Sequence, residues 1–299
     1  MFERILAPMK IVQSFWSKKF YDFKTRDAYN NCPTEEHEIY SRVLSCLLLS
    51  KLYDRVELVT DSKGKELLID TLGLPYSSVT LELDKLDKYS TELFVLDEIY
   101  SMGIQKEPFI YIDENIFMWA ALPSELNGHD VFTLRQKKYD YSDKAKLFDV
   151  TSQFETLNSY LYRSMVLGTF LQPQSGMIGF MGGNSSSFFQ DYSLETFTFV
   201  DQYMPFMNEL KYIVELNYVL TSEFFYNCCR KNKVIPVSYL PKYDDPEKIS
   251  PILFNRNERF QHYSYNKNPY QINELESFLR YKFPEYYYRI QNMLVEKSF

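Results

Sequence analysis

The sequence predicts an α/β fold: a mostly parallel central sheet flanked by helices, in one domain with a helical C-terminal part. Three observations carry this. Apolar runs and helical patterns alternate, strand–helix–strand–helix–strand–helix–strand, over roughly a hundred residues, and strands joined by crossover helices pair in parallel. The fourth run, Phe109-Ile110-Tyr111-Ile112, is uninterrupted and apolar, as expected of a strand covered on both faces. With 299 residues, 45% apolar and 24% charged, the chain has the composition of a globular protein, which excludes a disordered or collagen-like one.

Each element follows in order. Ile11 to Trp16 is a short apolar run suited to a buried strand. Pro33-Thr34-Glu35-Glu36 opens a helix, with a capping hydroxyl and acids at its positive end, and Ile39, Val43, Leu47 and Leu48 recur at helical spacing through Tyr53. Val56 to Asp61 is the second strand. Lys65 to Leu72 is a helix stopped by Gly73 and Pro75. Val79 to Leu83 is the third strand, Asp84 to Gln105 a helical region, and Pro108 to Asp113 the fourth strand. In such sheets ligands bind at the carboxyl ends of the strands, where Thr60-Asp61 and Asp113-Glu114-Asn115 stand.

The second half is less regular. Gln153 to Gln172 reads as helix, Gly176 to Gly183 as a glycine-rich turn, and Met207 to Lys233 as a long helix. Val234 to Leu240 reads as a short strand, Lys242 to Lys248 as a polar loop, and Ile272 to Lys282 and Pro284 to Lys297 as closing helices.

Composition narrows the function. Aromatics reach 17%, from 26 Tyr, 24 Phe and 2 Trp, while glycine is scarce at nine. The net charge of −7, with a pI near 5.2, argues against nucleic acid, whose backbone needs clustered Lys and Arg. A small anion in a local pocket stays compatible. Cys32, Cys46, Cys228 and Cys229 form no C-x-x-C pair and do not read as a disulfide framework. MFERILAP is too short and mixed for a signal peptide, and there is no 18-residue apolar run to span a membrane. The expectation is a cytoplasmic protein, with residues 1–8 a leader or flexible N-terminus.

Four features could carry chemistry. At Asp113-Glu114-Asn115 a buried strand delivers oxygen side chains to its open end, as Mg²⁺ or Mn²⁺ requires. Asp113 could ligate directly and Asn115 through a weaker neutral carbonyl, with Glu114 on the other face; the plainer reading is that strand ends are polar. Four of the nine glycines fall between Gly176 and Gly183, where they could admit a substrate close to the backbone or simply form a tight turn. Asn184-Ser185-Ser186-Ser187 behind them could cap a helix. In Gln261 to Tyr270, His262 could complete a metal site and Lys267 neutralise a phosphate, against a structural role for a lone histidine. Glu215 lies in an apolar helical stretch where burial would raise its pKa and suit a general base; a solvent-facing helix residue is the alternative.

The segments KIVQSFW (10–16), VELVTDSKGKELL (56–68) and IQKEPFIYIDENIFMW (104–119) resemble an uncharacterised family of bacterial proteins, common in Bacteroidota, whose members look like GT-A-type glycosyltransferases. The resemblance covers most of residues 9–120, and more loosely GMIGFMGG and the helix around Glu215. It implies a GT-A-like, Rossmann-like domain over 9–299, with a nucleotide-binding half (9–120) and an acceptor half (121–299). It implies transfer of a sugar from a nucleotide diphosphate sugar to a glycan, lipid or peptide acceptor. By the same resemblance Gln13, Ser14, Phe15, Trp16, Thr60 and Asp61 line the nucleotide site, and Gly179 and Gly182 border donor sugar and acceptor. The family's D-x-D motif falls on Asp113-Glu114-Asn115, so that Asp113, Asn115 and His262 hold Mn²⁺ or Mg²⁺ and Lys267 meets the pyrophosphate. Two departures, Asn115 in place of the second acid and Glu98 where a lysine is expected, point to the alternative of a catalytically inactive binding or assembly protein.

Overall fold

The computed structural model describes residues 9–22, 35–134, 136–138, 174–176, 179–205, 213–238, 260–262 and 269–297. In chain order these form β1 (Lys10–Phe15), α1 (Ser17–Tyr21), α2 (Glu35–Leu52), β2 (Val56–Thr60), α3 (Ser62–Lys65, continued as a π-helix over Glu66–Thr71) and β3 (Ser78–Leu81). Next come α4 (Leu96–Gly103), β4 (Phe109–Ile112), β5 (Ile116–Met118), β6 (Phe132–Thr133), β7 (Gln136–Lys138), β8 (Gln174–Gly176), β9 (Phe180–Gly183) and α5 (Ser186–Tyr203). Then follow α6 (Ile213–Tyr218), a π-helix over Val219–Phe224, α7 (Phe225–Asn232), β10 (Val237–Ser238), β11 (Phe260–His262), α8 (Pro269–Lys282) and α9 (Pro284–Lys297). The expected leader, the helix at 153–172, the loop at 242–248 and Lys267 lie outside the described residues. The chain folds as two compact units that interleave in sequence: residues 1–87, 110–127 and 245–299, and residues 88–109 and 128–244.

The fold class is the one expected, α/β with a mostly parallel sheet flanked by helices. In the first unit the strand order is β4-β1-β2-β3, with β1 parallel to β2 (Ile11 opposite Val56) and β2 parallel to β3 (Glu57 opposite Ser78). The apolar runs form strands here because both faces are covered. β2 is buried along its whole length and β1 from Ile11 onward. α2 supplies one cover. Its first turn carries Glu35, Glu36 and Glu38, which suit the positive end of the helix dipole, and every residue from Glu38 to Leu49 is buried. Leu275, Leu279, Ile290 and Met293 of α8 and α9 join Ile39, Val43, Leu44 and Leu47 in one apolar core. Each such aliphatic side chain contributes about 1.5–3 kcal/mol on burial. β5 pairs antiparallel with β11, Met118 opposite Phe260 and Ile116 opposite His262.

In the second unit the strand order is β10-β6-β9, with β10 parallel and β9 antiparallel to β6. Its core is aromatic. Phe225 meets Phe188 and Tyr192 edge-on at 5.5 and 5.7 Å between ring centroids, and Phe109 meets Phe189 at 4.8 Å. These are the tilted arrangements that ring quadrupoles favour.

Three elements differ from expectation. The helix expected over 84–105 is a 3-10 turn (Leu83–Leu86) and then only α4. Between them the Ser90 hydroxyl accepts from the Glu92 amide, and Asn217 receives the Val95 amide and donates to the Glu92 carbonyl, so local side-chain bonds displace helical ones. The long helix at 207–233 is described from Ile213 and is interrupted by the π-helix. Of the glycine-rich segment, Gly176 ends strand β8, Gly179 lies in a turn and Phe180–Gly183 form strand β9. Gly183 has φ +150°, and a Cβ there would overlap the Asp130 carbonyl, so glycine is required.

Candidate functional site

The carboxyl ends of β1 to β4 bring most of the expected site residues of the first unit together. α2 organises the end of β4. Arg42, 2% exposed, donates from Nη1 to the Ser14 carbonyl at 2.7 Å and pairs through Nη2 with Glu114 Oε2 at 3.1 Å, while its guanidinium lies 4.5 Å from the centroid of the Phe15 ring. Burial alone would push the Glu114 carboxyl up. The Arg42 charge beside it overcomes that and holds Glu114 well below the usual carboxylate range. The middle residue of the Asp-Glu-Asn turn is therefore locked inward, and its neighbours Asp113 and Asn115 are the half-buried ones.

Around that pair runs a buried polar network. Gln13 Nε2 donates to Ser45 Oγ and to the Ile112 carbonyl, both at 3.1 Å, and its Oε1 accepts from the Tyr76 hydroxyl at 2.9 Å. Ser14 Oγ and the Tyr111 hydroxyl lie 2.7 Å apart. Ser45 donates to the Ile116 carbonyl at 2.8 Å, and Ser41 approaches the Glu114 carbonyl at 3.0 Å and Asn115 Oδ1 at 3.2 Å. Apart from the two Ser41 approaches, which share one hydroxyl proton, each of these bonds satisfies a polar group that would otherwise cost about 1–3 kcal/mol to bury.

An open cleft of about 860 Å³ lies beyond the ends of β1, β2 and β3, lined by Ser17, Lys18, Tyr21, Asp22, Asp61, Lys63, Asp84 and Asp87. Its volume falls in the range of small-molecule sites. Asp61 is its floor: Oδ1 accepts from the Gly64 amide and Oδ2 from the Ser17 amide, both at 2.6 Å, which joins the exits of β1 and β2. Burial raises the Asp61 pKa against the opposing pull of those two amides. Asp84 accepts from the Ser62 amide and hydroxyl, Trp16 Nε1 from below reaches Asp87 Oδ1 at 3.4 Å, and Lys18 donates to the Asp87 carbonyl at 2.6 Å. Gly64 keeps the first turn of α3 close, since a Cβ there would overlap Thr60 Oγ1.

Of the residues expected at the nucleotide, Asp61 lines this cleft. Gln13, Ser14, Phe15, Trp16 and Thr60 are buried beneath it, and Thr60 Oγ1 donates to the Phe15 carbonyl at 2.7 Å. Asp113 and Asn115 flank Glu114, and the β11 register sets His262 opposite Ile116, the residue after Asn115. Among the described side chains no cluster of three or more His, Cys, Asp or Glu is placed to hold a metal. The oxygen chemistry of Asp113 and Asn115 nevertheless fits a hard cation. Gly179 and Gly182 belong to the second unit, Gly182 on β9 opposite Phe132, and Glu215 sits on α6. Glu98 is buried on α4.

Sequence reading missed two residues. Arg42 was signalled by a lone charge inside IYSRVLSCLLLS, a stretch too apolar to leave a guanidinium unpaired. Glu223 was signalled the same way within VLTSEFFY; it lies in the π-helix, 7% exposed, where burial pushes its carboxyl up to about 7 against the weaker pull of Arg230.

A family of unknown function (DUF6734) matches residues 9–293, and the chain belongs to that family. No curated protein matches it. Solved structures are similar to the chain, among them the following two. The apo form of mouse xyloside xylosyltransferase 1 is 12% identical, covers 85% of this chain and 96% of its own, and has a TM-score of 0.40. The apo structure of the bifunctional glycosyltransferase WbbM is 11% identical, covers 92% of this chain and 52% of its own, and has a TM-score of 0.35. Among the described residues no helix is long and apolar enough to cross a membrane.

Proposed function

We propose that this member of the family is a GT-A-like glycosyltransferase of the bacterial cytoplasm, which moves a sugar from a nucleotide diphosphate sugar to a glycan, lipid or peptide acceptor. The observation that supports this reading best is the cleft at the carboxyl ends of β1 to β3, on the sheet edge where the Asp113-Glu114-Asn115 turn leaves β4. Parallel sheets bind nucleotides at that edge. In this reading Tyr21 offers a ring face to the base, Asp61, Asp84 and Asp87 accept from ribose hydroxyls, and Lys18 and Lys63 meet phosphate oxygens.

The transfer breaks the bond between sugar C1 and the diphosphate oxygen, whose electron pair leaves with the diphosphate. The acceptor oxygen bonds to C1, and its proton passes to a base, for which Glu215 is the candidate. Mn²⁺ or Mg²⁺ held by Asp113, Asn115 and His262 would neutralise the leaving diphosphate. Lys267 would add a second positive charge, and Gly179 and Gly182 would let sugar and acceptor approach the backbone.

Thermal unfolding with a panel of nucleotide diphosphate sugars, with and without Mn²⁺, tests this. A donor at a hundred times its Kd stabilises the folded state by about 2.7 kcal/mol. The reading expects a shift with one donor that requires Mn²⁺ and disappears in Asp113→Ala. Binding without turnover on any acceptor class assigns the chain to the inactive branch that Asn115 and Glu98 suggest. No shift with any donor overturns the proposal.

A further inference from the structure

The Asn115 amide stands beside a hydroxyl that has one proton and two acceptors in reach. Ser41 Oγ, buried on α2, lies 3.0 Å from the Glu114 carbonyl oxygen and 3.2 Å from the side-chain atom of Asn115 placed there as Oδ1. A serine hydroxyl donates once. The Glu114 carbonyl can only accept, so it takes the proton at the shorter distance. The Asn115 atom that faces Ser41 must then be a donor, or two oxygens meet with no hydrogen between them. A half-turn of the amide about its terminal bond supplies that donor. Nδ2–H then gives to Ser41 Oγ, Ser41 gives to the Glu114 carbonyl, and all three groups are paired. The same half-turn carries Oδ1 away from Ser41, to the open side of the turn.

From this we infer that Ser41 is a positioning residue that orients Asn115, so that the asparagine presents its carbonyl oxygen, not its NH₂, to the site. The inference rests on the cation reading of the Asp113–Asn115 turn and deepens it. Asn115 is not merely a weakened acid. It is the residue that both satisfies Ser41 as a donor and offers an oxygen to a cation. Aspartate at 115 meets Ser41 lone pairs unless it withdraws the proton from the Glu114 carbonyl. The Arg42–Glu114 pair keeps the arrangement in register, because it holds the residue whose carbonyl receives the Ser41 proton.

Nuclear magnetic resonance on the full-length protein without metal reads the orientation directly. The Asn115 side-chain NH₂ protons are expected to show cross-relaxation to the Ser41 β protons in wild type, and a resonance shift toward the free amide in Ser41→Ala. NH₂ protons that contact the opposite side of the turn overturn the inference. A second arm titrates Mn²⁺ by its effect on water relaxation. Loss of Ser41 is expected to weaken Mn²⁺ about tenfold, as second-layer partners of metal ligands commonly do, with recovery in Ser41→Thr. Equal affinity in wild type and Ser41→Ala overturns the positioning role. Absence of Mn²⁺ binding in wild type overturns the cation reading instead, and the amide contacts alone then decide the orientation.

Discussion

Two buried acids, Glu114 of the first unit and Glu223 of the second, are treated in opposite ways. In the first, Glu114 is enclosed with Arg42, whose charge holds its carboxyl well below the usual range, and Glu57 lies 2.7 Å from Lys10. In the second, Glu223 is 7% exposed, and its burial outweighs the pull of Arg230, so that its carboxyl is raised to about 7. The difference follows from what surrounds each acid. α2 offers Arg42, Ser41 and Ser45 on the side that meets the strand ends, whereas the second unit spends its interior on Phe188, Phe189, Tyr192, Phe199 and Phe225. A charge partnered in this way fixes geometry; a charge left alone becomes a proton store.

The largest effect comes from breaking the partnered side. Arg42→Met leaves Glu114 buried without its cation and is expected to destabilise the fold by about 3–5 kcal/mol, read as a lower urea midpoint with the slope unchanged. Double substitution with Glu114→Gln should recover a large part of that loss. An Arg42→Met protein as stable as wild type would show that the pair holds nothing.

Glu223→Gln sharpens the contrast through pH. A carboxyl raised from 4.5 to about 7 in the folded state contributes stability that is complete below pH 4.5 and lost as the pH rises through 7. Wild type should therefore lose up to about 3 kcal/mol between pH 5 and pH 8 through this group, a loss absent from Glu223→Gln. Glu114 has the reverse sign: its contribution is complete above 4.5 and lost only in strong acid. Chemical denaturation of both variants at pH 3, 5 and 8 separates them.

Smaller effects bound the comparison. Ser185 caps α5 by accepting from the Phe188 amide at 3.4 Å, and Ser185→Ala should cost about 1 kcal/mol with no pH dependence. The exposed pair Lys88–Asp201, 2.8 Å apart, should yield less than about 0.5 kcal/mol on Lys88→Ala, and nothing measurable at high salt. A larger value there would mean that surface charge, and not only interior pairing, separates the units.

The first unit was the more legible because its signals are local. The apolar runs at β1, β2 and β4 and the helical spacing of Ile39, Val43 and Leu47 each report their own burial. The Asp-Glu-Asn turn was visible as a strand end. Its lock to Arg42 spans 72 positions, and no local pattern encodes which acid a buried arginine will meet. The pairing of β11 with β5 was hidden for the same reason: three residues, Phe260 to His262, form a strand only because Ile116 to Met118 offers an edge. In the second unit, strand β9 read as a turn because glycines punctuate it, whereas Gly183 is there to pass close to Asp130. The π-helix at Val219–Phe224 has the same apolar spacing as the α-helix expected there, so no local signal separated the two.

The return of α8 and α9 to α2 also sets an order of events during synthesis. α2 is complete at Leu52, yet Leu275, Leu279 and Ile290, which cover it, are translated more than two hundred residues later. At about 5–20 residues per second, its apolar flank stays open on the ribosome for roughly 10–40 s or longer. The first unit therefore cannot close by itself as it emerges. Transiently exposed apolar surface of this kind makes the unfinished chain prone to aggregate over that interval.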